Sequence, residues 1–130
     1  MSLSLGNGAR PELRRKVQDL LSEGRYEEAV ATADQAIALE PDNAWPYRTK
    51  ANALRLLQQY EEAVAIADQA IEIEPDNART YHVKAEALVM LDREEEAVVI
   101  ADQAIVLEPD TAIPYRTKAE ALCLLQRYEE

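Results

Sequence analysis

The chain has 130 residues, with 25 Asp and Glu against 14 Lys and Arg, and a net charge of −11. Its apolar content rests on 22 alanines with no phenylalanine, and its only 3 glycines are Gly6, Gly8 and Gly24. This length suits one domain; the composition excludes a glycine-rich phosphate loop, argues against a turn-rich β fold, and makes nucleic acid a poor partner.

Residues 1–9 carry no charged side chain and little pattern, and read as a disordered lead-in. The first residues lack the basic region and long apolar stretch of a signal peptide, and no apolar run approaches a membrane span. A single cysteine, Cys123, excludes an internal disulfide framework, and a single histidine, His82, excludes a multi-histidine metal site. The expected compartment is the cytoplasm, and no cofactor or metal is expected.

From residue 10 onward the chain repeats itself. Tyr-Glu-Glu occurs at 26–28, 60–62 and 128–130, with Glu94-Glu95-Glu96 in the remaining slot. Ala-Asp-Gln-Ala-Ile stands at 33–37, 67–71 and 101–105, and Glu-Pro-Asp at 40–42, 74–76 and 108–110, all at a spacing of 34. Residues 44–77 and 78–111 agree at 20 of 34 positions, and 44–62 and 112–130 at 15 of 19. The units are therefore 10–43, 44–77, 78–111 and a partial fourth, 112–130.

Each unit reads as two helices. In 44–77, Asn43 is placed to cap the first helix, as are Asn77 and Thr111 in the next two units. Pro46 and Pro114 fall in first turns, where a missing N–H costs little. Tyr47, Ala51, Leu54 and Leu57 then form one apolar helical face. A break at Gln58-Gln59 precedes a second helix over about 60–73, with Ala63, Val64, Ala67, Ala70 and Ile71 on one face; Pro75 stops it. Glu61 and Glu62 sit in its first turn, favoured by the helix dipole, and Glu94-Glu95-Glu96 reads as the same kind of solvated helix start. Two short helices cannot bury both faces alone, so stacking of successive pairs is required.

A 34-residue helix-turn-helix unit with Tyr47, Ala51, Leu54, Tyr60, Ala63, Ala70 and Pro75, repeated as Tyr81, Ala85, Leu88, Ala97, Ala104 and Pro109, resembles the tetratricopeptide repeat (TPR) family over residues 10–130. Departures are Ala51, Ala85 and Ala119 where the family often has glycine, and Ala33, Ala67 and Ala101 where it often has an aromatic. The first unit is the most divergent, with Leu13 and Val17 in the tyrosine and small-residue slots. The resemblance implies an all-α, right-handed superhelical solenoid of antiparallel helix pairs, with first helices lining a concave side. In the last helix, Ala119, Leu122 and Leu125 are expected to pack back on the third unit, leaving an outer side, including Leu124, uncovered. The open end implies either a longer protein or a covering molecule.

The candidate ligand face is the row beside the buried one: Trp45, Arg48, Asn52 and Arg55 in the second unit, Arg79, His82, Glu86 and Val89 in the third, and Ile113, Arg116, Glu120 and Cys123 in the fourth. Arg14, Gln18 and Leu21 correspond in the first. Charge sorts accordingly: first helices total +6 and the remaining segments −17. A basic inner wall suits an acidic or C-terminal carboxylate segment, which arginine grips through paired hydrogen bonds. Trp45 is the expected anchor. Lys50, Lys84 and Lys118 recur in step with the fold and pair readily with acidic neighbours. Some family members clamp acidic chaperone C-termini with Lys, Asn and Arg; Arg48 and Asn52 match that clamp, whereas Val83, Ile113 and Thr117 do not. His82, Cys123 and the Asp34, Asp68 and Asp102 positions form no catalytic set. The expected function is a non-enzymatic module that binds a protein or peptide, with self-assembly through the open C-terminal end as the alternative.

Overall fold

The computed structural model describes residues 11–129, with side chains to residue 126, so the lead-in at 1–9 lies outside the described residues. Seven helices follow one another among them: α1 (Pro11–Ser22), α2 (Tyr26–Leu39), α3 (Ala44–Leu56), α4 (Tyr60–Ile73), α5 (Ala78–Met90), α6 (Glu94–Leu107) and α7 (Ala112–Glu129). They form antiparallel pairs in a helical repeat array. Each second helix packs on the first helices flanking it, and α1, α3, α5 and α7 touch in succession. No helix among the described residues is long and apolar enough to cross a membrane.

The turn inside each pair is built the same way. Gly24, Gln58 and Asp92 all have positive φ, at 77°, 66° and 61°. The N–H of the next residue reaches back to the carbonyl five residues earlier: Arg25 to Leu20, Gln59 to Leu54 and Arg93 to Leu88, at 2.8–2.9 Å. Such left-handed closures tie off the last carbonyls of a helix and favour glycine, which only the first unit supplies. Between pairs, Tyr47, Tyr81 and Tyr115 donate their hydroxyls to the carbonyls of Pro41, Pro75 and Pro109 at 2.9, 2.6 and 2.9 Å. The three lysines also form a ladder: Lys50 to Asp34, Lys84 to Asp68 and Lys118 to Asp102 at 2.7–2.8 Å. This ladder accounts for the recurrence of both residue types. At half-exposed carboxylates each rung contributes about 0–1 kcal/mol.

The first helices α3 and α5 each bury two faces. The Tyr47, Ala51, Leu54 face turns toward the following unit. A second face, Pro46, Thr49 and Ala53, turns back on the preceding one and is equally buried. Its proline and threonine hide it from an apolar pattern. The two faces reverse the expectation for α7: Pro114, Thr117 and Ala121 are buried and Leu124 packs on the core, while Tyr115, Ala119 and Leu122 are exposed and Leu125 is half-buried. Among the described residues the helix has neighbours only on its preceding side. It also runs on through Gln126 and Arg127, where the earlier units turn.

Two smaller expectations are corrected. Asn77 caps α5 by accepting from the Arg79 N–H at 3.0 Å, but Asn43 makes no such bond; its amide donates to Glu40 at 3.3 Å instead. The Thr111 hydroxyl likewise bonds the Glu108 carboxylate at 3.2 Å. Glu94 is not a solvated helix start. It occupies the slot of Tyr26 and Tyr60, is buried, and one of its carboxylate oxygens, Oε2, has no hydrogen-bond partner.

Candidate functional site

The helical spacing that put Arg14, Arg48 and Arg79 on equivalent faces of successive first helices brings them to one place. They line a cavity of about 320 Å³ on the first-helix side, with Gln18 and Leu21 from α1, Asn52 from α3, His82 from α5 and Ile113 from α7. Thr49 and Val83 complete the wall. They belong to the backward-facing stripe, which the sequence pattern did not separate from its neighbours.

The charge in this cavity is unbalanced. Arg48 is largely buried and donates from Nη1 to Glu74 at 2.9 Å. Burial pushes its guanidinium below the ordinary range; Glu74 opposes that, and the Arg14 and Arg79 charges reinforce it. Neither Arg14 nor Arg79 has an ion-pair partner among the described residues; the Arg14 guanidinium lies over the Trp45 ring at 5.6 Å. Three cations thus line a space whose lining residues include no carboxylate; Glu74 pairs with Arg48 from outside that lining.

Trp45 itself is not on the groove wall. It is only 4% exposed, packed with Val17, Leu20, Ala29, Ala36 and Ala53 at the joint between the first two units. The small alanines leave room for the indole, and Arg14 covers it from solvent. At the same helix position Arg79 and Ile113 point outward, so spacing alone cannot distinguish the two fates.

Higher on the same side, Arg55, Tyr60, Glu86, Met90 and Glu120 surround a smaller depression of about 150 Å³. Arg55 is committed there, bound to Glu86 at 2.9 Å and to Asn52 at 2.8 Å. His82 Nε2 lies 3.3 Å from Glu86, and its Nδ1 is buried without a partner. Burial lowers the pKa of His82; Glu86 opposes the shift, and Arg55 and Arg116 add to it, so the imidazole is neutral at pH 7. Arg116 is exposed and lines neither cavity, and Cys123 is exposed beyond both. No cluster of three or more potential metal ligands occurs among the described residues. The arrangement can hold an anionic chain by charge and hydrogen bonding.

A family model described as tetratricopeptide repeat matches residues 20–87 and again 54–122. No curated protein is significantly similar to the chain. Among solved structures, the second TPR domain of human RPAP3, in complex with the HSP70 peptide SGPTIEEVD, is 24% identical with a TM-score of 0.80, over 84% of this chain and 91% of that one. The TPR2B domain of yeast Sti1, in its Hsp70 complex, is 23% identical with a TM-score of 0.83, over 88% and 96%. The Sgt2 TPR domain of Aspergillus fumigatus is 16% identical with a TM-score of 0.87, over 92% and 80%. At these identities the likeness establishes the fold.

Proposed function

The chain belongs to the tetratricopeptide repeat family, and from that premise we propose that it is a protein-interaction module whose inner groove holds an acidic peptide segment. The observation that carries this reading is the convergence of Arg14, Arg48 and Arg79 on one cavity whose lining includes no carboxylate, with Arg48 alone of the three ion-paired among the described residues, to Glu74. A ligand carboxylate placed among them gains charge-assisted, paired hydrogen bonds. Asn52 and Gln18 add neutral donors and acceptors beside the arginines, and Leu21, Val83 and Ile113 supply an apolar floor. Structural neighbours in complex with chaperone peptides such as SGPTIEEVD support the peptide class. The reading is of binding: arginine, amide and aliphatic side chains make up most of the lining. A cytoplasmic placement suits a chain whose lone exposed thiol, Cys123, has no disulfide partner.

The test is a peptide-display selection on the folded array, counter-selected with the Arg14→Glu/Arg79→Glu variant, with SGPTIEEVD as a defined probe. Both arginines are exposed; because Arg14→Glu also removes the cation over the Trp45 ring, the variant's fold is checked by circular dichroism before binding is compared. Acidic peptides that bind the wild type and lose at least about tenfold, roughly 1.4 kcal/mol, on the variant support the groove. Equal binding to both proteins refutes it.

A second reading is self-association through α7. Tyr115 and Leu122 are each 46% exposed, whereas their counterparts Tyr81 and Leu88 are buried. A two-fold pairing of that face would close as a dimer. A monomer at every concentration in sedimentation velocity removes this reading.

A further inference from the structure

The outer side of the array carries a feature that the groove does not use. Pro75, Tyr81, Val99, Gln103, Val106 and Leu107 line a concavity of about 460 Å³ between α6 and the α4–α5 connection. Val99 and Val106 lie on one face of α6, and are 59% and 78% exposed. The repeat does not require them. The same positions are Ala31 and Ala38 in α2, and Ala65 and Glu72 in α4. Nor is this the seam for a following helix pair. α4 is followed by α5 and α6, yet Ala65 and Glu72 stay exposed. Val99 and Val106 are thus particular to the third unit, where they extend an exposed apolar position, Leu107, that recurs as Leu39 and Ile73.

The surroundings are acidic. Glu72, Asp76, Glu108 and Asp110 are exposed close by in sequence, and Asp102 on the wall of the concavity is paired with Lys118 at 2.7 Å. A second copy docking here would set two acidic rims against each other on chains of net charge −11. A cationic rim on the occupant removes that repulsion.

We propose that this face of α6 docks an amphipathic helical segment of a partner protein, aliphatic on one side and flanked by Lys or Arg. A helix presenting aliphatic residues at i, i+4 and i+7 would set them against Val99, Val106 and Leu107, and its basic flanks against the carboxylates. The two sides of the molecule then select ligands of opposite charge. The inference does not rest on the groove reading.

The variant that tests it carries the second unit's own residues, Val99→Ala and Val106→Glu, which α4 already accommodates. A display library of lysine-flanked helical peptides with Leu or Ile at i, i+4 and i+7 is selected on the full chain and counter-selected on this variant. The expected result is a family of peptides that lose at least tenfold on Val99→Ala/Val106→Glu, weaken with added salt, and bind Arg14→Glu/Arg79→Glu unchanged. No enrichment, or equal binding to the α6 variant, overturns the proposal. A concentration-dependent dimer of the wild type that the variant abolishes assigns the face to a second copy and also overturns it. Loss on the arginine variant alone assigns the peptides to the inner groove, with the same consequence.

Discussion

Truncating Trp45 separates a groove anchor from a core residue. Trp45→Ala removes an indole that is almost wholly enclosed by Val17, Leu20, Ala29, Ala36 and Ala53. Those neighbours are mostly alanines on rigid helices and cannot collapse into the space, so the cost is about 3–5 kcal/mol, the upper range for aromatic truncation. Loss of the Arg14 stacking adds roughly 0.5–1 kcal/mol. The site joins α1 and α2 to α3, and in a repeat array such a loss acts on the nearest interface. The first pair should therefore open before the rest. Urea denaturation followed by circular dichroism should show a lower midpoint with an early phase, and hydrogen exchange should show α1 and α2 losing protection while α5 and α6 keep theirs. A Trp45→Ala protein within about 0.5 kcal/mol of wild type that nevertheless loses peptide affinity would refute this packing account.

Other substitutions read the same logic elsewhere. Gln58→Gly should stabilise by about 0.5–1 kcal/mol, because a left-handed residue with a Cβ is strained and the gain is partly offset by a freer unfolded chain; thermal melting checks it. Glu94→Tyr, which restores the residue of the other units and removes a buried oxygen without a partner, should raise stability by about 1–3 kcal/mol in the same assay. His82 has its pKa lowered in the fold, so its contribution is full above the unfolded value and declines as pH falls below about 6.5. An anionic ligand beside it would raise that pKa again, so acidic-peptide affinity should increase between pH 7.5 and 5.5. Titration calorimetry of wild type against His82→Gln reads this, and an equal pH response in both would exclude His82 as the source.

The repeat and the helix limits of the first three units were legible because each depends on local spacing: 34 between units, 3 and 4 along a helix. Of the expected arginine row, Arg48 and Arg79 line the cavity, whereas Arg55 is paired with Glu86 and Arg116 lies outside it. What escaped depends on which neighbour lies across a gap. Trp45 and Arg79 share a helix position, but only the first meets three alanines of the units it joins. Thr49 and Thr117 are buried as fully as leucines because a helix with partners on both sides hides polar positions too; each threonine is small, and the Thr117 hydroxyl bonds the carbonyl of Ile113 four residues earlier at 3.2 Å. Glu94 looked like its neighbours Glu95 and Glu96, and only its place in the tyrosine slot distinguishes it. In α7 the assignment of faces reversed because Tyr115, Ala119 and Leu122 carry the visible apolar pattern, whereas the stripe that has a partner is interrupted by Pro114 and Thr117.

The contacts between helices also set how the groove is held. Each joint between units is carried mainly by a second helix packed on the next first helix, α2 on α3, α4 on α5 and α6 on α7, while the first helices touch one another more sparsely. The tyrosine latches to Pro41, Pro75 and Pro109 sit at those same joints. The spacing of the groove wall is thus fixed from behind, by how each outer helix seats against the next unit. A substitution on an outer helix can therefore reshape the groove without touching any residue that lines it.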